Sequence, residues 1–490
     1  MKNSKLPVIL LILLAGILRF WDIGHNPPGV YVDEAHQGYN AYSLLKTGRD
    51  QYGMAWPVMT KLFGSYASSL YTYFSVVPIA ILGLSAVSVR LVSALSGMGL
   101  VFLIAATFGP WAGWVVAVSP VFVFFSRGAF EANLGLFLFL IGFIGCLRAS
   151  GRHQTLLPSF ILLSISGYAY HAERLVSGLF IIFFSWYALR NKLHKKYIFP
   201  ALAVSLVILV PLIRVSLYPA VNTRLRELAE PSGYSSRLLA YFSPVNLFSR
   251  PDPDVQRSFP EVSVFYWWMI IPFLAGVYRL IRARKLFLPG ILVVFILPTA
   301  LTRDYFSTVR VLPFFILLSL IIARGLSGLK PRLLWMCVLT IISLAELYPN
   351  LVLLKHERSN IWGYPYRQLA SRLEYLSPLP VVIDNSRAKP LDILLAFYNR
   401  TDPNILQSRY PSSWIADYYD HPEYSPDTDL GKIQIRPIIW RRDVSVNQFL
   451  IGDQLAVSPG QVAEHHLQLV DQVTDINGVP VLFIYRTRPE

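Results

Sequence analysis

Apolar runs of roughly 16–20 residues return between short basic loops from the N-terminus to about residue 350. Segments of that kind partition into hydrocarbon, where each backbone polar group has to be satisfied within its own helix. The chain therefore reads as a polytopic α-helical membrane protein. Its composition agrees: 54% of the 490 residues are hydrophobic and the mean hydropathy is +0.46. The formal net charge is +15. In a soluble domain that excess would point to nucleic acid. Here the basic residues crowd the loops between apolar runs, so membrane orientation accounts for them and no nucleic-acid partner is expected. Cys146 and Cys337 each fall inside an apolar run, which leaves neither a disulfide framework nor a cysteine metal motif.

Topology follows from charge. The first span covers about 7–21, with Lys2 and Lys5 marking its cytoplasmic end. It runs into Arg19-Phe20-Trp21 without a small-x-small cleavage motif, so it reads as an uncleaved span. Basic loops at 148–153, 190–196, 279–285 and 324–332 are likewise cytoplasmic. An even number of crossings must then separate the Asp33 loop from residues 126–133, and 86–108 and 111–125 supply them. The stretch 69–84, with Ser68, Ser69, Tyr71, Thr72, Tyr73, Ser75 and Pro78, reads as re-entrant or interfacial. Further spans are expected near 134–149, 155–170, 175–190, 197–215, 263–281, 286–302, 309–324 and 333–350, about eleven in all. Residues 216–262 form a long outer loop. Between 34 and 45 the spacing of Ala35, Tyr39, Tyr42 and Leu45 predicts a short amphipathic helix in the interface. After about 356 the chain turns polar, and the apolar runs 381–383, 393–397, 449–451 and 481–484 read as buried strands mixed with helices. The expected organisation is a transmembrane domain, 1–355, and a soluble extracytoplasmic α/β domain, 356–490. The protein is placed in the plasma (inner) membrane, multi-pass, with a cytoplasmic N-terminus.

The outer loops are unusually polar. The first carries Asp33, Glu34 and His36 directly after a membrane span, where carboxylates are expensive and mark function by default. A helix cap at Asp33, for a helix starting near Ala35, is the plainer account. Ser126, Arg127, Glu131 and Asn133 follow, then Tyr168, Tyr170, His171, Glu173 and Arg174, then Arg303, Asp304, Tyr305 and Arg310. Arginines on this side run against the positive-inside rule and need a reason. Local pairing, Arg127 with Glu131 or Glu173 with Arg174, is one; gripping a phosphate is another. A carboxylate can take a proton from a hydroxyl or amine nucleophile while arginines hold a leaving phosphate, and this fits a lipid-linked phosphosugar donor.

The stretch Pro27-Pro28-Gly29 through Asp33-Glu34-Ala35, with Gly38, Ala41, Leu44-Leu45, Gly48, Gly53 and Pro57, resembles the GT-C type membrane glycosyltransferases. Within that type it is similar to the family 39-like branch of bacterial protein O-mannosyltransferases and lipid A aminoarabinose transferases. Val89-Arg90-Leu91, Ser93-Ala94-Leu95, Ser119-Pro120, Ser126-Arg127 and Arg310 to Pro313 extend the resemblance over about residues 7–350. It implies a GT-C-like fold of about eleven transmembrane helices with interfacial helices in the first outer loop. It implies Asp33 as catalytic base with Glu34 beside it, and Glu131 as a second acidic residue for metal, acceptor or base orientation. Arg174 and Arg303 or Arg310 would bind the lipid phosphate, with His36, Arg127 and Tyr170 beside them at the substrate. His171 would contact donor phosphate or sugar, or be an ordinary interfacial histidine. A divalent metal, Mg or Mn, would fall to Asp33 and Glu131. The aminoarabinose branch carries a Glu-Lys-Pro-Pro run later in the first loop; here that region reads Lys61-Leu62-Phe63-Gly64-Ser65.

The expectation is an inverting transferase that moves a sugar from a polyprenyl-phosphate donor to a glycan, lipid or protein acceptor on the extracytoplasmic face. A lipid-linked sugar flippase would want charged or broken helices at the bilayer midplane, and the spans carry few charges there. A non-catalytic subunit of envelope polysaccharide assembly is the other rival.

Overall fold

A computed structural model describes residues 6–149, 152–190, 195–230, 232–283, 288–376, 378–387 and 390–488. Lys2, Lys5 and parts of the basic loops at 148–153, 190–196 and 279–285 lie outside the described residues. The chain divides into two units: Met1–Ile23, Ala67–Tyr71 and Arg90–Val352 in the first, Gly24–Tyr66, Thr72–Val89 and Leu353–Glu490 in the second.

The first unit is helical. Helices occupy every expected span, from Leu6–Phe20 and Ala86–Phe108 to Leu312–Leu326 and Arg332–Glu357. Among the described residues five are long and apolar enough to cross a membrane: Ala86–Phe108, Glu131–Arg148, His171–Arg190, Lys195–Ser216 and Arg332–Glu357. Pro7–Phe20, Leu70–Leu82 and Leu312–Leu326 are shorter apolar helices. The chain is thus a polytopic helical membrane protein. The span expected at 111–125 is two helices, Pro110–Val118 and Pro120–Arg127, divided at Ser119. Pro120 cannot donate a backbone hydrogen bond and so starts a new helix rather than continuing the old one.

Three fully or almost fully buried arginines serve the carbonyls this break and the neighbouring helix end leave open. Arg19 donates to Val116 and Ala117 carbonyls, both at 3.1 Å. Arg127 reaches the Leu18 carbonyl at 2.9 Å and Arg90 the Ile23 carbonyl at 2.8 Å. Hydrogen bonds from a charged donor contribute roughly 1.5–3 kcal/mol each.

Helices Ile270–Arg282 and Leu312–Leu326 pack so closely that their backbones touch. A Cβ on Gly276 would run into the Ile321 carbonyl, and one on Gly325 into the Pro272 carbonyl. Small residues at such crossings are how membrane helices gain van der Waals contact.

The second unit carries two sheets. β1 (Met59–Leu62) and β2 (Ser65–Ser68) pair in the first loop. β3 (Val381–Ile383), β4 (Thr428–Asp429), β5 (Ile433–Ile435), β6 (Phe449–Gly452), β7 (Gln468–Thr474) and β8 (Pro480–Arg486) form a mixed sheet ordered β4-β5-β3-β6-β8-β7. β3 is parallel to both β5 and β6, and the other pairings are antiparallel. Val382, Leu450, Val457, Leu467 and Tyr485 form a core at the sheet. The apolar run at 393–397 lies in a helix, Leu391–Tyr398, rather than a strand. A short continuous apolar run has no period to separate the two, and this one is buried all round. The helix expected in the interface near 34–45 is Val32–Thr47. It is buried on most sides, Ala35, Tyr39 and Ala41 being wholly covered. It packs on the Leu391–Tyr398 helix, so its polar residues are enclosed rather than laid on a surface.

Gly178 sits in a span with open space where its Cβ would be. Gly276→Ala is therefore expected to lower the thermal unfolding temperature in detergent by several degrees, and Gly178→Ala to leave it unchanged or raised. Equal shifts would contradict the close crossing.

Candidate functional site

In the first unit, charged residues converge around Asp304. Arg310 meets the Asp304 carboxylate at 2.6 Å and Arg257 meets the same oxygen at 3.4 Å. Arg257 also donates to Asp254 at 3.1 Å and Ser307 at 2.9 Å, and Arg310 to the Thr302 hydroxyl at 2.6 Å. Local backbone structure holds the cluster. A single 3₁₀ turn, Thr308–Arg310, follows Ser307 and precedes the Leu312–Leu326 helix. Asp252 accepts from both the Thr308 amide and hydroxyl at 2.7 Å, and the Tyr241 hydroxyl accepts from the Ser307 amide at 2.7 Å. Loop 216–262 is thereby tied to the turn bearing Arg310.

Electrostatics couple the cluster to Tyr170. Burial raises the Tyr170 phenol, while Arg310 and Arg257 oppose the shift and Glu131 and Glu173 add to it. Burial alone would lower Arg257, but Tyr170, Asp254, Asp252 and Asp304 outweigh it and hold the guanidinium above its ordinary value. Arg257 and Arg310 each carry five N–H donors. Their contacts among the described residues account for only some of these, and none of the remaining nitrogens is sealed from solvent without a partner. The pair can add an incoming oxyanion to the carboxylate it already shares.

The other expected site residues of this unit are placed differently. Glu131 opens the Glu131–Arg148 helix. Arg127, 1% exposed, is turned to the Leu18 carbonyl. His171 lies edge-on to Tyr170, ring centres 6.3 Å apart. Arg174 donates to the Gly167 carbonyl and the Ser216 hydroxyl, both at 3.4 Å. The Glu173 oxygens are buried without a partner among the described residues, so Glu173 and Arg174 do not pair. Arg303 is exposed and joins Leu228 through its amide at 2.7 Å. Arg257 was not singled out by sequence reasoning. Its signal is Asp252-Pro253-Asp254 followed by Arg257, an acidic pair and an arginine in a long loop of a chain that is otherwise apolar.

In the second unit the Val32–Thr47 helix begins at Asp33 and its neighbours. Glu34, not Asp33, holds the helix start: its carboxylate accepts from the Tyr31 amide at 3.1 Å. The helix starts at Val32 with Tyr31 as its N-cap, and Asp33 is half-buried in its first turn. His36 is wholly buried and its Nε2 donates to the Lys61 carbonyl at 2.6 Å, a bond that fixes the β1 strand.

Beyond His36 lies a polar core. Asp50 accepts from the Tyr418 hydroxyl at 2.5 Å and from the Tyr52 and Met54 amides at 3.0 and 2.8 Å. The Lys61 ammonium stands over Tyr418, Trp414 and Tyr52 at 4.7, 5.2 and 5.4 Å from the ring centres. Aromatic faces of this kind hold a cation by their quadrupoles. Among the described residues no three His, Cys, Asp or Glu side chains gather so as to hold a metal.

No family model matches the chain, and no curated protein is similar to it by sequence. Its fold is nevertheless that of solved membrane proteins. It is similar to ArnT from Cupriavidus metallidurans bound to undecaprenyl phosphate, with a TM-score of 0.54 at 13% identity over 98% of each chain. It is similar to the same protein in the apo state, with a TM-score of 0.57 at 14% identity over 99% of this chain and 98% of that one. The chain therefore has the GT-C fold over nearly its full length.

Two buried groups of the second unit titrate in opposite senses. Burial pushes Asp50 up from 3.8 to about 6, against its hydrogen bonds, so its share of stability falls as pH rises from about 4 to about 6. Burial pushes His36 down from 6.5 to about 4, so its share is lost as pH falls from about 6.5 towards 4. Relative to wild type, Asp50→Asn is expected to lose stability on acidification through this window and His36→Gln to gain it, read by thermal unfolding at a series of pH values. Slopes displaced in the same direction would contradict the assignment.

Proposed function

We propose that the chain is an integral-membrane glycosyltransferase that moves a sugar from a polyprenyl-phosphate-linked donor to an acceptor on the extracytoplasmic face. The observation that carries this reading is the pair of guanidiniums, Arg257 and Arg310, gathered on one carboxylate and coupled electrostatically to half-buried Tyr170. They sit in a fold shared with a protein solved with undecaprenyl phosphate bound. A membrane protein that keeps two arginines poised with donors to spare has the chemistry to receive a phosphate.

In this reading Asp33 is the general base. Its carboxylate takes the proton from the acceptor hydroxyl or amine as that atom bonds to the anomeric carbon. The bond from the anomeric carbon to the phosphate oxygen breaks in the same displacement, and the polyprenyl phosphate leaves with the electron pair. Arg257 and Arg310 stabilise the charge that develops on it. A single displacement inverts the anomeric centre. Tyr170, whose phenol Arg310, Arg257 and Glu131 all influence, and Glu131 itself would orient donor or acceptor. The N-terminus is assigned to the cytoplasm and residues 356–490 to the opposite side, in the plasma membrane.

Purified protein in lipid, given a radiolabelled polyprenyl-phosphate hexose or pentose and a membrane glycan extract, is expected to transfer label from the lipid to the extract. Asp33→Asn should lower turnover by about 10²–10⁴-fold, the range general-base catalysis supplies, with unfolding unchanged. Arg310→Gln should weaken donor binding. Consumption of donor at equal rates by wild type and Asp33→Asn would overturn the role of Asp33. Loss of donor from one leaflet without new glycosidic product would favour a flippase.

A further inference from the structure

A second polar recess lies wholly within the second unit, away from Asp33, Asp50 and Lys61 in its lining. It has a volume of about 610 Å³ and is lined by His25, Lys355, Tyr364, Arg367, Gln368 and Tyr398 among others. That volume is within the ~300–1,000 Å³ of small-molecule sites. A smaller cavity of about 250 Å³ shares His25, Arg367 and Tyr398 and adds Arg400.

The recess is built, not incidental. On the helix Tyr364–Leu373 the residues Tyr364, Arg367, Gln368 and Ser371 recur at three- and four-residue steps and line the recess, with Glu374 continuing the same face. The opposite face, Pro365, Leu369 and Leu373, is buried. The Gln368 amide donates to the Tyr364 hydroxyl at 2.8 Å, and the Tyr398 hydroxyl accepts from the Val30 amide at 2.9 Å. The wall at Ile476 is pinned through Asn477, which accepts from His356 Nδ1 at 2.8 Å and donates to the His356 carbonyl at 3.1 Å. The Leu391–Tyr398 helix ends in a left-handed residue, Arg400 at φ 49°. A non-glycine residue there costs roughly 1–2 kcal/mol.

Charge decides what fits. Lys355, Arg367, Arg400 and His25 face one acid, Glu374. Arg367 and Arg400 are exposed, and among the described residues neither guanidinium has an ion-pair or hydrogen-bond partner. Beside them stand two phenol rings, the Gln368 and Asn399 amides and the Ser371 hydroxyl. Guanidiniums recognise phosphate or carboxylate, while amides, hydroxyls and aromatic faces suit sugar hydroxyls and ring faces.

We infer that this recess, together with the smaller cavity that shares Arg367 and adds Arg400, binds an anionic sugar unit, a phosphorylated or carboxylated glycan residue held by Arg367 and Arg400, free or attached to a lipid. Its service as the docking site of the transfer acceptor rests on the glycosyltransferase reading; the binding itself does not.

The full chain in phosphatidylcholine nanodiscs is titrated calorimetrically with glucose 1-phosphate, glucuronate, methyl glucoside and inorganic phosphate. Glucose 1-phosphate and glucuronate are expected to bind, methyl glucoside not to, and inorganic phosphate to bind at least tenfold more weakly than glucose 1-phosphate. Arg367→Ala with Arg400→Ala should weaken the sugar anions tenfold or more at unchanged thermal stability, and Arg367→Glu should abolish binding. Equal binding of methyl glucoside, an unchanged affinity in the double variant, or inorganic phosphate binding as tightly as the phosphosugar would overturn the proposal. So would binding found only to phosphatidylglycerol nanodiscs. Because no donor is present, failure here leaves the transfer reaction untouched, and failure of transfer leaves this titration untouched.

Discussion

A guanidinium inside a membrane-embedded fold cannot borrow its solvation from water, so the chain has to supply it. The first unit does this in two ways. Arg19, Arg90 and Arg127 donate to backbone carbonyls at helix ends, which ties the ends together. Arg257 and Arg310 are solvated by a shared carboxylate, a hydroxyl or two, and open space. The first arrangement joins helix ends and serves folding. The second leaves donors to direct at something else, and buried ion pairs of this sort are a weak source of stability in their own right. The partners differ in kind, backbone carbonyls in the first set and a shared carboxylate with hydroxyls in the second, and the proposed phosphate-binding role of Arg257 and Arg310 rests on that difference.

Sequence reasoning locates the helices well because their signal is long: each apolar run has room to declare itself. It fails where a short feature decides. Pro120 splits one expected span, and a five-residue apolar run reads equally as strand or helix until its surroundings are known. For the site, residue type and sidedness were legible but partnership was not. Arg127 and Arg310 look alike in sequence, each an arginine beside a span with a carboxylate nearby. Only the fold shows one turned to the Leu18 carbonyl and the other to Asp304. Arg257 comes from a loop some fifty residues before Arg310 in the chain, a separation no local pattern bridges.

The second unit shows why the first loop is so polar. Three of its polar side chains are spent on architecture: Glu34 on a helix start, His36 on a strand, and Asp50 on a tyrosine hydroxyl and two amides. Lys61 is spent on an aromatic cage. Asp33 is half-buried in the first turn of the same helix, and the proposed transfer reaction assigns it the role of general base. The C-terminal residues contribute the rings and the Tyr418 hydroxyl that complete this core, so the loop and the C-terminal residues form one unit by shared burial rather than by adjacency in the chain.

The claim that the open arginine pair receives a lipid phosphate is tested most directly by binding alone. Purified protein would be titrated with radiolabelled undecaprenyl phosphate in detergent, beside Arg257→Gln and Arg310→Gln. The account predicts saturable binding by the wild type and a loss of tenfold or more in each variant, with Arg127→Gln reducing stability instead of affinity. Undiminished binding by both site variants would contradict it.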